Sequence, residues 1–273
     1  MHQDTLEQED YKNALIKIGR FINLSIFLYT EGIYMAERID DLQLNGLRII
    51  QDTESFCFGV DAVLLSYIAE DTKAESIMDL CTGNGIVPIL LAGKTKAKRI
   101  CGIEIQEKQA NLAKRSVSLN GLEERVFIYN MDLKDALNEF KKGSFEAVTC
   151  NPPYIESSGG IINEKNEKAI ARHEIMCTLE DVIKVSSELL SPLGRLYMVH
   201  KPERLVDIFC LMREYKIEPK RLWMVHPSKD KKANIALVEG AKNGGRDLKM
   251  MEPIYVYDED GNYSDMINKI YRR

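Results

Sequence analysis

The chain has 273 residues and a mass of 31.2 kDa, room for one large domain or two small ones. With 45% hydrophobic residues, 29% charged residues and a net charge of −5, it is neither disordered, collagen-like, coiled-coil nor a globally basic nucleic-acid coat protein, although a local basic face remains open. No apolar run reaches the roughly 18 residues that a membrane-spanning helix needs.

The six cysteines (Cys57, Cys81, Cys101, Cys150, Cys177 and Cys210) form no CxxC, and the four histidines are scattered. This predicts reduced, mostly buried thiols, no metal site and a cytoplasmic, intracellular protein. In residues 1–34 an acidic stretch (Asp4, Glu7, Glu9, Asp10) precedes the short apolar run 21–28, the wrong flank for a secretory signal. Met35 opens a different segment. Residues 1–34 therefore read either as an upstream-start extension or as an N-terminal helix.

From residue 35 the pattern is regular. Residues 42–44 and 48–51 flank Asn45-Gly46, which predicts a hairpin with an Asn-Gly turn. A helix is expected over 56–69, with Val60, Val63, Leu64 and Ile68 at helical spacing. Strand 76–80 runs into the glycine-containing turn Cys81-Thr82-Gly83-Asn84-Gly85 and a helix over 86–92. Strand 99–104, a helix from 106 to the stop at Asn120-Gly121, strand 125–130, helix 133–140 and strand 145–150 follow. After a polar loop at 155–177 come helix 179–190, strand 194–200, helix 202–215, and two last strands, 221–226 and 233–239. Strands alternating with helices mean βαβ units and a parallel sheet. We expect one α/β domain over 35–273: an N-terminal hairpin and helix (35–70), a catalytic core (71–240) and a C-terminal segment (241–273).

Small residues after strand 76–80 let a ligand approach the backbone at a helix N-terminus that favours an anionic group. Glu104 ends the next strand some twenty residues on, where a carboxylate can accept from ribose hydroxyls. Asp132 follows the third strand, where it can take an adenine amine. Asp79, Glu104 and Asp132 thus stand at the ends of three consecutive strands, the edge at which open α/β sheets bind ligands. An NAD-linked dehydrogenase would want G-x-G-x-x-G, which this turn lacks.

The pattern resembles the class I S-adenosylmethionine-dependent methyltransferases, whose fold is a Rossmann-like seven-stranded sheet with helices on both faces. The resemblance implies that Asp79 orients the methionine end and that Cys81, Thr82, Gly83, Asn84 and Gly85 line the cofactor. It further implies that Glu104, with Ile105, binds ribose and that Asp132, with Leu133, contacts adenine. That family's loop often reads D-x-G-x-G-x-G, and Cys81 stands at its first glycine position.

Asn151-Pro152-Pro153-Tyr154 directly follows the fourth strand. Two prolines fix φ and remove two donors, leaving the Pro152 carbonyl and the Asn151 side chain as acceptors and Tyr154 as a planar face. This suits a planar group carrying an –NH2. The motif looks like the NPPY of amino-methyltransferases, which modify adenine N6, guanine N2 or glutamine amides.

Phe58-Gly59-Val60-Asp61, Arg172-His173-Glu174, and the stretch from Val225-His226-Pro227-Ser228 to Gly244-Gly245 closely resemble the bacterial tRNA adenine-N6 methyltransferases acting on adenine 37 of a valine tRNA. The likeness runs from about residue 37 to 263. It implies that Phe58, Gly59 and Asp61 lie over the cofactor, with Asn151 at the same site. Charge agrees with a polyanionic partner. Residues 1–150 carry 17 basic and 23 acidic groups, whereas residues 195–249 carry 13 basic and 7 acidic. Lys220, Arg221, Lys229, Lys231, Lys232 and Arg246 are the candidate phosphate contacts. The expected protein is a monomeric enzyme on tRNA. The alternatives are a release-factor glutamine methyltransferase, a ribosomal RNA guanine-N2 or DNA adenine-N6 methyltransferase, and a non-catalytic RNA-binding module.

Overall fold

The computed structural model describes residues 37–53, 58–153 and 177–271. The expectations for residues 1–34, Tyr154 and Arg172-His173-Glu174 fall outside them, as does most of the 155–177 loop. A two-stranded antiparallel hairpin, β1 (Glu37–Asp41) and β2 (Arg48–Asp52), precedes the main sheet. The main sheet contains β3 (Ser76–Leu80), β4 (Arg99–Glu104), β5 (Val126–Asn130), β6 (Phe145–Cys150), β7 (Leu190–His200), β8 (Ile217–His226), β9 (Ile235–Lys242), β10 (Lys249–Met250) and β11 (Ile254–Tyr255). Around it lie α1 (Val60–Ile68), α2 (Ile86–Lys94), α3 (Glu107–Leu119), α4 (Ala136–Glu139), α5 (Leu179–Leu189), α6 (Leu205–Glu214) and α7 (Asp265–Ile270).

The strand order is β10-β8-β9-β7-β6-β3-β4-β5, with β11 also on β8. Strands β3 to β7 are parallel, and β9 runs antiparallel between β7 and β8. The chain walks one way from β3 to β5 and returns on the other side from β6. This makes a topological switch point between β3 and β6, where such sheets bind ligands. The sheet has nine strands rather than the expected seven, because the two-residue β10 and β11 pair with β8.

Burial on both faces gives the parallel strands near-continuous apolar runs. In β3, Ile77 enters a core with α1, α2 and α7, while Met78 and Leu80 enter a second core with α4, α5 and α6. Asp79 is the acid in that strand, and it is 1% exposed.

The hairpin differs from the sequence expectation. Its first strand is 37–41, and 42–47 is the connecting loop. Asn45 and Gly46 both have positive φ, 53° and 74°, and Leu47 N–H donates to Leu44 O at 2.9 Å, so the Asn-Gly turn forms inside that loop. Leu42 and Leu44 are buried as loop residues. The hairpin docks on α3: Ile50 N–H donates to Ser116 Oγ at 3.0 Å, and Asn120 accepts from Arg48 N–H at 2.8 Å and donates to Arg48 O at 2.6 Å. Helix 133–140 opens as a 3-10 turn, Leu133–Asp135, before α4, and 202–215 as the turn Pro202–Arg204 before α6. Pro202 at the first position lacks a donor that a helix start leaves unused.

Candidate active site

The turn after β3 takes three residues through the left-handed region: Cys81 (φ 59°), Gly83 (56°) and Gly85 (86°). It is held by Thr82 N–H donating to Ile103 O at 2.9 Å and Gly85 N–H donating to Thr82 O at 3.0 Å. A Cβ at Gly85 would lie 3.0 Å from that of Ala113, so glycine lets α3 close on the turn, whereas the Cβ direction at Gly83 points into open space. Helix α2 starts at once, presenting its unpaired N–H groups at this edge.

Two carboxylates organise the turn. Asp79 pairs in register with Thr149 and accepts from the Thr149 and Thr82 hydroxyls, each at 2.6 Å. Burial lifts its pKa to about 7, the two hydroxyls pull it down, and the nearby Glu104 charge raises it. Glu104 is 5% exposed and accepts from Gly83 N–H at 2.8 Å and Gln106 N–H at 2.9 Å. Each of its oxygens retains a lone pair for a hydroxyl donor. Asn130 Nδ2 donates to the carbonyls of Glu104 and Ile105 at 2.9 and 3.0 Å, fixing the backbone where the exposed Ile105 projects. Asp132 accepts from Lys134 N–H at 2.9 Å. The Leu133 side chain is buried with Ala136 and Phe140, so it supports the site from the core. Asn84 turns away, its Nδ2 donating to Ile50 O of the hairpin at 3.4 Å.

Asn151, Pro152 and Pro153 leave β6 beside this turn. Asn151 Nδ2 donates to Asp61 Oδ2 at 3.3 Å. Only an amide –NH2 can face a carboxylate, so the pairing fixes which way the Asn151 carbonyl points. Asp61 Oδ1 also accepts from Ala62 N–H at 3.0 Å. It folds back over Gly59, where a Cβ would come within 2.7 Å of Oδ1. Phe58 packs against the core, and its N–H donates to Gln51 Oε1 at 3.0 Å. Glycine turn, strand end and hairpin thus converge on one place.

Sequence reasoning passed over Thr149, Ser116, Gln51 and His200. Thr149 was legible only through the register of β6 against β3. His200 ends β7 at the same edge. Burial, then the Arg204 charge, push its pKa down to about 4, so it is neutral at physiological pH, and Nδ1 accepts from Lys201 N–H at 2.8 Å.

The candidate phosphate contacts divide. Exposed Lys229, Lys231 and Lys232 lie on the β8–β9 loop, at the same sheet edge as Asn151. Arg221 lies within β8, ion-paired with the buried Glu239 and 4.9 Å from the Trp223 ring centroid. Lys220 is beside it, its ammonium donating to Gly245 O at 3.0 Å, and Arg246 follows on the exposed 243–248 connection. These three sit on the flank of the sheet, away from the β8–β9 loop.

A parallel sheet with this order, a left-handed glycine turn at its switch point, carboxylates ending β3 and β4 and an Asn-Pro-Pro after β6 define a class I methyltransferase. The methyltransferase small domain family matches residues 59–207. A protein of Porphyromonas gingivalis named tRNA1(Val) (adenine(37)-N6)-methyltransferase is 30% identical over 76% of this chain and 83% of its own. One of the same name from Aeromonas hydrophila is 26% identical over 76% and 85%. In structure, a protein described as a predicted O-methyltransferase from Agrobacterium tumefaciens superposes with a TM-score of 0.63 at 20% identity, over 78% of this chain and 95% of that one. The M. jannaschii TYW2 protein, solved in complex with AdoMet, gives 0.53 at 14% identity over 81% and 91%. The chain belongs to the methyltransferase small domain family and, within it, to the tRNA1(Val) (adenine(37)-N6)-methyltransferases.

Proposed function

We propose that this chain binds S-adenosylmethionine and methylates the exocyclic N6 of an adenine in tRNA, adenine 37 of a valine tRNA. The observation that carries the chemistry is Asn151, its amide oriented by Asp61 beside the Pro152 carbonyl. The tRNA substrate is supported by the names of the relatives.

The residues fit the cofactor. Asp79 and Glu104 are buried acids beside a turn with open space at Gly83, and they suit a ligand with cationic and hydroxyl groups. Asp79 would face the cationic methionine end, Glu104 the ribose and Asp132 the adenine, with Ile105 as an apolar wall. S-adenosylmethionine supplies an electrophilic methyl group. An adenine N6 is a poor nucleophile because its lone pair is delocalised into the ring. The Asn151 and Pro152 carbonyls accept its two hydrogens, favour pyramidal geometry and hold the lone pair in line with that methyl group. Positioning and hydrogen bonds that strengthen in the transition state supply the acceleration. The N-methylated amine sheds its extra proton readily, so no general base of shifted pKa is needed. Tyr154 would stack on the base, a contribution of roughly 1–3 kcal/mol for base–aromatic platforms. An adenine in an anticodon loop can be splayed out without opening a duplex.

The test is methyl transfer from labelled S-adenosylmethionine to unmodified tRNA, with nucleosides resolved by mass spectrometry. Label in N6-methyladenosine is the expected result. Label in a release factor or in ribosomal RNA, and none in tRNA, would replace the substrate and leave the site.

A further inference from the structure

Arg38 and Gln51 are paired in register across the hairpin, and Asp40 lies two residues along β1 on the same face. Asp40 is 6% exposed and Gln51 2%, a costly place for an unmatched carboxylate or amide. Both are matched. Asp40 Oδ2 accepts from Arg38 Nε at 3.0 Å and from Gln51 Nε2. Only the –NH2 of an amide can face a carboxylate, so this contact turns Gln51 Oε1 the other way. There it accepts from Phe58 N–H at 3.0 Å. Phe58 stands immediately before Gly59, the N-cap of α1. Gly59 has no side chain with which to cap the helix, and the entry of the chain into α1 is held one residue earlier, by Gln51.

We propose that Gln51 is a positioning residue: oriented by Asp40, it fixes the entry into α1 and, through it, the Asp61 carboxylate that aims the Asn151 amide. This rests on the reading of Asn151 as an acceptor in methyl transfer. The same device stands twice in series, a carboxylate orienting an amide, first Asp40 with Gln51 and then Asp61 with Asn151. The first pair anchors the second. Asp61 Oδ1 lies over Gly59 while Oδ2 meets Asn151, so a shift of Phe58 and Gly59 carries the Asp61 carboxylate with it.

Strand β2 also reaches the glycine turn, where Asn84 Nδ2 donates to Ile50 O at 3.4 Å. Ile50 thus meets the turn proposed to bind the cofactor, and its neighbour Gln51 meets the segment that aims the acceptor amide. The strand is seated on α3 through Ser116 and Asn120. It therefore spaces the methyl donor from the amide that holds the methyl acceptor, a separation on which rate depends steeply.

Three variants of the full chain test this. Gln51→Leu keeps the volume and removes the amide. Gln51→Glu sets a carboxylate against Asp40. Gln51→Glu combined with Asp40→Asn restores the chain of hydrogen bonds with charge and amide exchanged. Each is read by kcat and KM for methyl transfer and by amide hydrogen exchange at Phe58. Gln51→Leu is expected to lower kcat about tenfold with KM for tRNA changed less than about threefold, as a displaced acceptor should, and to quicken exchange at Phe58. In an Asp61→Ala background the same substitution should cost less than about twofold, because residues acting in series are not additive. The exchanged pair should return kcat to within about threefold of wild type, whereas Gln51→Glu alone should not. Wild-type kcat in Gln51→Leu, an equal loss with and without Asp61, or an exchanged pair no better than Gln51→Glu would overturn the proposal. If Gln51→Leu folds poorly, the comparison of Gln51→Glu with the exchanged pair decides. A wild type that transfers no methyl group would overturn the functional reading instead. The positioning is then decided by exchange, and unchanged protection of Phe58 in Gln51→Leu overturns it.

Discussion

Asp61 accepts a hydrogen bond from Asn151 at 3.3 Å across 90 residues of sequence, so the first turn of α1 sets the orientation of the proposed catalytic amide. Removing the carboxylate frees the amide to rotate. Asp61→Ala is expected to lower kcat by about 10²-fold, the scale on which small misplacements of reacting groups cost rate, with a smaller effect on KM for tRNA. Asp61→Asn keeps an acceptor and should recover much of the loss. Steady-state kinetics of the two variants decide it, and wild-type turnover in Asp61→Ala would refute the positioning role.

Asn151→Ala removes the acceptor itself. Loss of one transition-state hydrogen-bond partner typically costs 10²–10³ in kcat, and an amine whose lone pair must be localised depends on both acceptors. Turnover should fall to background while S-adenosylmethionine affinity changes within a few fold. Parallel calorimetry and methyl-transfer assays separate the two, and an active Asn151→Ala enzyme would sink the mechanism.

Glu104 holds the turn and is the proposed ribose partner. Its carboxylate ties down Gly83 N–H and Gln106 N–H, so Glu104→Ala loosens the loop as well as removing the ribose partner. We expect S-adenosylmethionine binding to weaken by about 10²-fold, in line with the 1.5–3 kcal/mol attributed to a charged hydrogen bond. An unchanged calorimetric titration would exclude Glu104 from the cofactor site.

Asp79 gives the site a pH dependence of definite sign. Its native pKa of about 7 stands above the ordinary 3.8 because burial outweighs the two threonine hydroxyls. The folded chain therefore binds more protons than the unfolded one between those values. The group's stabilising contribution is complete below about pH 4 and lost as pH rises through 7, a change of roughly 4 kcal/mol. Asp79→Asn removes the buried charge, so the ligand-free protein should melt at a higher temperature at pH 8, while losing cofactor affinity. A cationic ligand requires the ionised form, so wild-type affinity should fall up to about tenfold per pH unit below 7, with proton release on binding. Thr149→Val removes a hydroxyl that favours ionisation and should move this transition upward. Calorimetry in buffers of different ionisation enthalpy reads the proton directly, and pH-independent affinity between 5.5 and 8 would refute the assignment.

Much of the candidate site's framework was legible because its polar residues sit at strand ends. Asp79, Glu104 and Asn151 follow apolar runs whose lengths mark the strands, and Gly83 and Gly85 mark the turn. What stayed hidden depends on long-range pairing. Thr149 matters because register sets it against Asp79, and Ser116 and Asn120 because the hairpin lies on α3. The hairpin's first strand was misplaced because Leu42 and Leu44 are apolar for the core rather than for a strand. Strands β10 and β11 are too short to leave a periodicity. Charge counting grouped the lysines and arginines of 195–249, yet sequence carries no sign that Arg221 is consumed by Glu239.

That division yields the last prediction. If the exposed β8–β9 loop follows the RNA backbone, each of Lys229, Lys231 and Lys232 replaces condensed counterions, and each lost contact lowers the salt slope of log affinity by about 0.7–0.9. The triple alanine variant should bind tRNA more weakly, with a slope shallower by about 2–3, while S-adenosylmethionine affinity is unchanged. Lys220→Ala and Arg246→Ala, on the sheet flank, should leave the slope within error of wild type. Arg221→Ala should instead lower thermal stability, because Glu239 is buried with Arg195 as its remaining ion-pair partner, and stripping one partner from a buried ion pair leaves charge uncompensated. Equilibrium binding between 50 and 200 mM salt, beside thermal melts, tests both halves. A slope that falls on changing Lys220 or Arg246, but not with the loop lysines, would move the RNA path to the sheet flank.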